Sequence, residues 1–567
     1  MTDLATPEGA KEEDVLTRSG MLTLVLLLAG DAVAATPPPV RGRAVVASDS
    51  AEASRCGEAA LAQGGNAVDA VVAAALCAGV VQPAGSGLGG GGFALVQRPG
   101  APPVAYDFRE VAPAAAHRDL YNDVVRADGL PPARVGGLAV AVPGESRGLA
   151  GLHEAHGRLP LARVVRPAVV HARRGFHVGP HLARALGRVS SHDVAAELGV
   201  DGVVASEGDL LRRTELARTL RRFGATRGED LHTGRGAAQI VARVQADGGI
   251  LTLDDLAAYA PVVREPVVLT WRGHTVSTMP LPSSGGVILA QLLKAVDGAA
   301  IDGMEHNSAA YLHFLSHIMQ ASFADRAHFL GDADFGDIPI DELLEPARVQ
   351  RMLDRFDPQR ALPASAYAPE KRSRSDAGTQ HISVIDADGM AASLTTTINT
   401  TFGSRLVAAG VFLNDEMDDF TARPGEPNHY GLMQSDFNTI EAGKRPLSSM
   451  CPTILANEEG QPVVAIGASG GPFILSSTFQ VLLNMVVFGM DPAAAVAAPR
   501  IHHNWIPDRL VVEGELSPDT VAGLKDRGHE IVVYRRFSAA QVVAVQPDGL
   551  RAGASDPSKG GMPAATW

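Results

Sequence analysis

The stretch SRSDAGTQHISVIDADGMAASLTTTINTTFGS, residues 373–404, decides how the chain is read. A polar, loop-like run ends at Gly378, and a β-patterned run begins abruptly at Thr379. Val384-Ile385 and 391–398 read as strands flanking Asp386-Ala387-Asp388-Gly389, a strong turn signal between paired strands. If the turn centres on 387–389, residue 379 falls opposite 396–398, so Thr397 and Asn399 gather around the start of the first strand. A threonine hydroxyl is a poor nucleophile at neutral pH and needs a base. The first residue of a chain carries one, an α-amino group with a pKa of about 8. A cut between Gly378 and Thr379 would supply it, at the end of a segment rich in Pro, Ser and Ala (361–378) that reads as an exposed linker. A threonine that merely starts a strand is the plain alternative.

Composition sets the frame around this seam. The chain has 567 residues, 46% hydrophobic and 20% charged, the balance of a well-buried globular protein. Its net charge of −14 offers no basic footprint for phosphates, which excludes a general nucleic-acid binder. MLTLVLLLAG (21–30) is too short to span a bilayer; with Arg18 before it and Ala32-Val33-Ala34 after it, it reads as a secretory leader. The acidic lead Glu12-Glu13-Asp14 is atypical, so the true start falls at Met21 or the segment stays as an anchor. Cys56, Cys77 and Cys451 cannot build a disulfide framework; a Cys56–Cys77 bridge is open, with buried thiols the simpler reading.

Helical spacing marks 51–63 and, after Gly64-Gly65, NAVDAVVAAALCAGVV. A glycine run then leads into the strand FALVQ, and 113 to about 350 is mostly helical. From Thr379 on, β patterns dominate (HISVI, MAASLTTTI, VVAIG, RLVVEG, EIVVYRR), with helical ILSSTFQVLLNMVVFG between them. Helices and antiparallel strands in one unit suggest layered sheets covered by helices, an α+β class.

Three motifs tempt. Gly85-Ser86-Gly87-Leu88-Gly89-Gly90 fits G-x-G-x-x-G, but a helix precedes it and a strand follows, the reverse of a dinucleotide site. His153-Glu154-Ala155-His156 has the wrong spacing for H-E-x-x-H, and His313/His317 lack the glutamate; structural histidines account for them. Gly467-Ala468-Ser469-Gly470-Gly471 fits a nucleophile elbow, with Asp508 and His529 in serine-hydrolase order, but no second oxyanion motif accompanies it. The competing reading is a glycine turn whose N–H groups form an oxyanion hole for a nucleophile elsewhere.

The chain resembles the γ-glutamyltranspeptidase family of N-terminal-nucleophile (Ntn) hydrolases from about Val45 to its end. The resemblance is carried by GGNAVDAVVAAAL, GLGGGGFALV, YDFREVAP, MPLPSSGG, GTQHISVIDADG, NTTFGS, LNDEMDDF, KRPLSSMCPT, GASGGP and APRIHHNW. It implies a four-layer αββα sandwich built by two subunits from one autocleaved precursor: a leader at 1–40, a large subunit at 41–378 and a small catalytic subunit at 379–567. Residue by residue, it implies Thr379 as nucleophile, Thr397 holding its new amino group, and Gly470 and Gly471 as the oxyanion hole. It implies Asn399, Glu416 and Asp419 on the donor's α-ammonium, and Arg109 on its α-carboxylate with Ser448 and Ser449. A guanidinium fork suits that carboxylate better than a lysine does. TARPGEPNHYGLMQSDFNTIEAGKRP (421–446), with Tyr430, matches the family's lid, which favours γ-glutamyl transferases over lidless relatives. Gln380 follows the nucleophile, and Ile382 replaces an aromatic often found there.

The implied activity is transfer of the γ-glutamyl group of glutathione and related amides to water, amino acids or dipeptides, in an exported, periplasmic or secreted enzyme. No metal or organic cofactor, no nucleic acid and no stable membrane partner beyond a retained leader is implied. A glutaryl (cephalosporin) acylase on the same fold and a serine α/β-hydrolase using Ser469 are the competing activities, beside a γ-glutamyl-binding protein that never matures.

Overall fold

A computed structural model describes residues 38–200, 202–299, 301–367, 378–422, 435–514 and 516–567. The leader expected over 1–40 falls almost wholly outside these residues, as do Tyr430 and the 368–377 part of the linker.

Two antiparallel sheets, each of seven strands, face one another. The first runs edge to edge through Ala564–Thr566, Ala44–Ser48, Gln380–Ile385, Ala391–Thr397, Gly91–Gln97, Val104–Asp107 and Val262–Arg264. The second runs through Val40–Gly42, Arg551–Ser555, Ala539–Val545, Pro462–Ser469, Thr453–Ala456, His274–Thr278 and Val267–Trp271. Successive strand residues point to opposite faces, and both faces of the first sheet are apolar. Val46, Ala94, Val96, Ile382, Val384 and Leu394 join a core with the helices Ala51–Ala62 and Ala67–Val81. Their neighbours Val45, Ala47, Phe93, Leu95 and Ile385 join Ile454, Ile466 and Val542 of the second sheet instead. The far side of that sheet is covered by Ser284–Gly298, Ala309–Phe329 and Phe473–Val486, completing the expected αββα layering.

The seam strand forms as its sequence predicts. Gln380 pairs with Thr396 and Ile385 with Ala391, so residue 379 stands opposite Thr397. Gly389 takes φ +86° in the turn, where the left-handed region favours glycine. The Ala67–Val81 helix starts with a capping box in which Asn66 and Asp69 satisfy each other's backbone N–H groups.

Three expectations change. Cys56 and Cys77 are joined in a disulfide rather than left as thiols, because the two helices that follow each other across Gly64-Gly65 pack side by side. The stretch 262–278 lies in the region read as mostly helical, yet it supplies three strands that extend both sheets. The start of the segment read as an exposed linker is anchored: Ala364 is buried, its N–H donates to Asp508 at 2.7 Å and its carbonyl accepts from the Trp505 indole at 2.9 Å. Among the described residues, no helix is long and apolar enough to cross a membrane.

Candidate active site

The threonine cluster divides by strand alternation. Thr396 points to the helical side, where its hydroxyl donates to Glu145 and to the Gly91 carbonyl. Thr395 points between the sheets and bonds the His381 ring at 2.8 Å. Burial lowers His381 to about 3, so the ring is neutral. Thr397, at the strand end, donates to the Gly378 carbonyl oxygen at 3.0 Å and accepts from the Asn399 N–H at 2.8 Å. The Thr379 hydroxyl donates to the same Gly378 oxygen and lies 3.5 Å from the Thr397 hydroxyl. Two hydroxyls therefore converge on one buried carbonyl, that of the peptide bond before Thr379. A Cβ on Gly378 would lie 2.8 Å from the Asn399 carbonyl oxygen, closer than real side chains come, so the residue before the seam has to be glycine.

The glycine run read above as a failed cofactor loop backs this corner. A Cβ on Gly90 would lie 1.9 Å from the Thr397 carbonyl oxygen, and one on Gly92 2.3 Å from that of Thr395. Close backbone approach is the reason for these glycines.

The chain that follows the Val104–Asp107 strand carries Arg109, which is 1% exposed. Its guanidinium donates to Glu416, to Asp419 at 2.5 Å and to the Pro446 carbonyl at 3.2 Å. Glu110 lies 3.7 Å away. Burial works against the arginine's charge, but Glu416, Asp419 and Glu110 override it and hold it above its ordinary value. Burial raises all three acids, Glu110 to about 7, with Arg109 pulling each back. A second guanidinium, Arg326 of the Ala309–Phe329 helix, faces the same pocket; burial lowers it to about 10, so it stays charged at neutral pH. With a proton shared among the three acids, two guanidiniums balance two carboxylates, the neutral arrangement a buried site requires.

The pocket is lined by Thr379, Thr397, Asn399, Arg109, Glu416, Asp419, Ser448, Ser449 and Gly471. All the expected site residues that the structure describes thus come together, with Gly470 one residue back from the lining. Asn399 takes φ +71°, a left-handed conformation asparagine tolerates, and its amide donates to the Asp415 carbonyl. The Ser448–Ser449 loop is braced from behind: Ser284 donates through both N–H and hydroxyl to the Ser448 carbonyl, and Ser448 donates its own N–H to Pro282. Among the described residues, the Ser449 hydroxyl and Glu416 Oε2 have no hydrogen-bond partner. Both are buried polar atoms that a ligand would satisfy.

Sequence reasoning missed Arg326 and the apolar wall of Leu447, Met450, Pro472 and Ile474. A charged residue inside the apolar run of 309–329 was the available signal for Arg326.

The elbow reading of Ser469 is not supported. Its buried hydroxyl donates to Asp49 at 2.6 Å, while Asp508 accepts from Ala364 and His529 bonds His313 at 2.7 Å. Gly467 has a separate reason: its Cβ would lie 2.3 Å from the His381 ring. Gly470 and Gly471 take φ +134° and +58°, and neither N–H donates to another described residue. His313 and His317 are hydrogen-bonded to Asp357, His529, Met352 and Tyr367, as structural histidines are.

A sequence model of the family described as gamma-glutamyltranspeptidase matches residues 53–566. A glutathione hydrolase proenzyme of Escherichia coli (strain K12) is 37% identical over 529 residues, 92% of this chain and 91% of that protein. Among solved structures, a cephalosporin acylase from Bacillus halodurans superposes with a TM-score of 0.82 at 27% identity, covering 96% of this chain and 100% of its own. A gamma-glutamyltranspeptidase from Pseudomonas nitroreducens, complexed with L-DON, gives a TM-score of 0.52 at 34% identity, over 56% of this chain and 96% of its own.

Proposed function

The chain belongs to the gamma-glutamyltranspeptidase family, and from that premise we propose that it cleaves itself between Gly378 and Thr379 and then acts as a γ-glutamyltransferase and glutathione hydrolase. The observation that carries this reading is the pair of hydroxyls, Thr379 and Thr397, on the Gly378 carbonyl oxygen at the edge of a pocket holding opposite charges.

In the precursor, the Thr379 oxygen bonds to the Gly378 carbonyl carbon while Thr397 donates to the carbonyl oxygen, where negative charge develops. The carbon–nitrogen bond breaks, the nitrogen takes the hydroxyl proton, and the two parts are joined by an ester. Water opens it, leaving Gly378 as a carboxylate and Thr379 with a free amine and its hydroxyl restored. The large part then ends at Gly378 and the small part begins at Thr379. Two facts support such a division: the Escherichia coli relative is named a proenzyme, and the Pseudomonas nitroreducens chain is matched almost entirely by little more than half of this one.

In turnover, the free amine accepts the Thr379 hydroxyl proton as the oxygen attacks the donor's γ-carbonyl. Gly470 and Gly471 offer N–H groups to the oxyanion, the leaving amine takes the proton, and a γ-glutamyl ester remains. For glutathione the leaving amine is cysteinylglycine. Water, an amino acid or a dipeptide then receives the acyl group. Arg109, Ser448 and Ser449 hold the α-carboxylate, and Glu416, Asp419 and Asn399 hold the α-ammonium. Arg109 pairs with both Glu416 and Asp419, so a zwitterionic head that enters exchanges these internal ion pairs for external ones of the same charge pattern.

The acylase reading shares the fold but not this charge pattern, since a glutaryl group has no ammonium for the acids to meet. Asp419→Asn separates the two. Turnover of a γ-glutamyl anilide should fall by roughly ten- to a hundredfold, the worth of a charged hydrogen bond at a buried site, while any glutaryl anilide activity holds or rises. Equal loss on both substrates would overturn the assignment of Asp419. Export is part of the proposal: the leader-like 21–34 stretch and the Cys56–Cys77 disulfide both suit an oxidising compartment.

A further inference from the structure

Near the end of the chain, Lys559 closes a short turn, Pro557–Lys559, and turns its side chain inward. Its ammonium donates to the Thr379 carbonyl at 2.6 Å and to the Ser469 hydroxyl at 2.7 Å, and it lies 3.4 Å from Asp49 Oδ2. Its three protons are thereby matched to three acceptors on three separate segments. Asp49 is fully buried at the end of the Ala44–Ser48 strand, where it also accepts from Ser469 and from the Gln541 amide. The main chain of the lysine is fixed as well. Gln82 donates to the Lys559 carbonyl at 2.8 Å and accepts from the Gln380 amide at 2.7 Å. The ammonium's place is therefore determined from both ends.

Thr379 lies one residue outside the strand ladder, which begins at the Gln380–Thr396 pair. Once the bond to Gly378 is cut, nothing upstream tethers it, and chain termini fray unless tied down. Ser469, a second acceptor of the ammonium, directly precedes Gly470 and Gly471. One cation thus links the nucleophile's own carbonyl to the turn that faces it. We propose that Lys559 is a positioning residue for acyl transfer: its ammonium fixes Thr379 against the Ser469–Gly471 turn and holds it there after the chain is cut. The proposal rests on Thr379 being the nucleophile.

A displacement of about 1 Å in a reacting group costs roughly a hundredfold in rate. The γ-glutamyl head binds through Arg109, Glu416 and Asp419, none of which Lys559 touches. Loss of the ammonium should therefore act on kcat and spare KM. The test uses the purified full chain with a γ-glutamyl anilide, comparing wild type, Lys559→Met, Lys559→Gln and Thr379→Ala. Lys559→Met, which keeps the stem and loses the donor, should lower kcat about a hundredfold with KM within about twofold. Lys559→Gln, a neutral donor, should fall between it and wild type, about tenfold down. A kcat within about twofold of wild type in the Met variant, or a KM that rises in step with the fall in kcat, would overturn the proposal. Should the Met variant fail to fold, the Gln variant decides alone by the same criteria. Activity in Thr379→Ala would overturn the nucleophile assignment itself, whereas an inactive Thr379→Ala beside an unimpaired Lys559→Met would overturn only the role of the lysine.

Discussion

The glycines at 89–92 and those at 470–471 both lie against the corner made by Thr379 and Thr397, but an added Cβ meets different things at each. In the first group it would strike backbone: the carbonyls of Phe412, Thr397 and Thr395 lie 1.9–2.3 Å from the Cβ positions of Gly89, Gly90 and Gly92. In the second, Gly470 would meet its neighbours at 3.0 Å or more, and the constraint is its left-handed φ, shared with Gly471. The first run lets strands close up behind Thr397; the second is the turn proposed to offer backbone N–H groups to the oxyanion. Both formally fit motifs of unrelated enzymes, and neither works as its motif suggests. A glycine motif is decided by what surrounds the absent side chain.

The largest expected effect follows from the first group. Gly90→Ala drives a methyl into the carbonyl of Thr397, the residue whose hydroxyl donates to the Gly378 carbonyl oxygen. Its expression should yield little folded protein, and what folds should stay a single full-length chain on a denaturing gel. Normal processing in this variant would break the comparison, because it would show the corner tolerates a shift behind it.

Gly471→Ala should behave differently. Alanine is strained at φ near +58° by only about 1 kcal/mol, so the fold should survive while the turn relaxes away from that angle and shifts its N–H. The re-aimed N–H should lower kcat on the order of a hundredfold, the worth of one oxyanion donor, with KM held. Steady-state kinetics on a γ-glutamyl anilide checks this. A parallel rise in KM would mean the turn shapes the substrate head, not the oxyanion.

The first glycine region also reaches Arg109, the proposed carboxylate-binding residue, through the chain. A Cβ on Gly91 would lie 2.5 Å from a Glu110 oxygen, which places Glu110 and its neighbour Arg109 by strand packing. Arg109→Lys replaces a fork by a point charge and should raise KM roughly ten- to a hundredfold without affecting the cut. Unchanged KM would remove Arg109 from the carboxylate site.

The smallest effect is one of pH. Burial raises Glu110 to about 7 from an ordinary 4.5, while Arg109 pulls it back. The folded protein thus holds this proton more tightly than the unfolded chain, and its contribution to stability is lost as pH rises through that interval. Above about 7, a further negative charge competes for Arg109. KM should therefore rise a few-fold between about pH 6 and 8, and Glu110→Gln should flatten the profile near its low-pH value. An identical profile in the variant would assign the dependence elsewhere.

Much of this was legible in the sequence for identifiable reasons. The hairpin register was fixed by the Asp386–Gly389 turn and by alternation, so the meeting of Thr379 with Thr397 followed from residues alone. The pocket's charged groups were reached only through family motifs, because NDEMDD by itself reads as a solvated acidic loop. What stayed hidden depends on long-range packing. Arg326 sits in a helix whose neighbours are apolar, and only the approach of that helix to the 447–450 loop gives it a role. Lys559 is a lone lysine 180 residues from Thr379, with no local pattern to mark it. Cys56 and Cys77 could be paired only once their helices were seen side by side.

The central claim is that Thr379 becomes a chain terminus by its own attack on Gly378. N-terminal sequencing of the smaller fragment of the purified wild-type protein, with Thr379→Ala purified alongside, tests it most directly. The account predicts a fragment beginning Thr-Gln-His-Ile-Ser in the wild type, and one uncut, inactive chain in the variant. A fully active uncut wild-type chain, or a Thr379→Ala protein that is still cut at this bond and active, would contradict it.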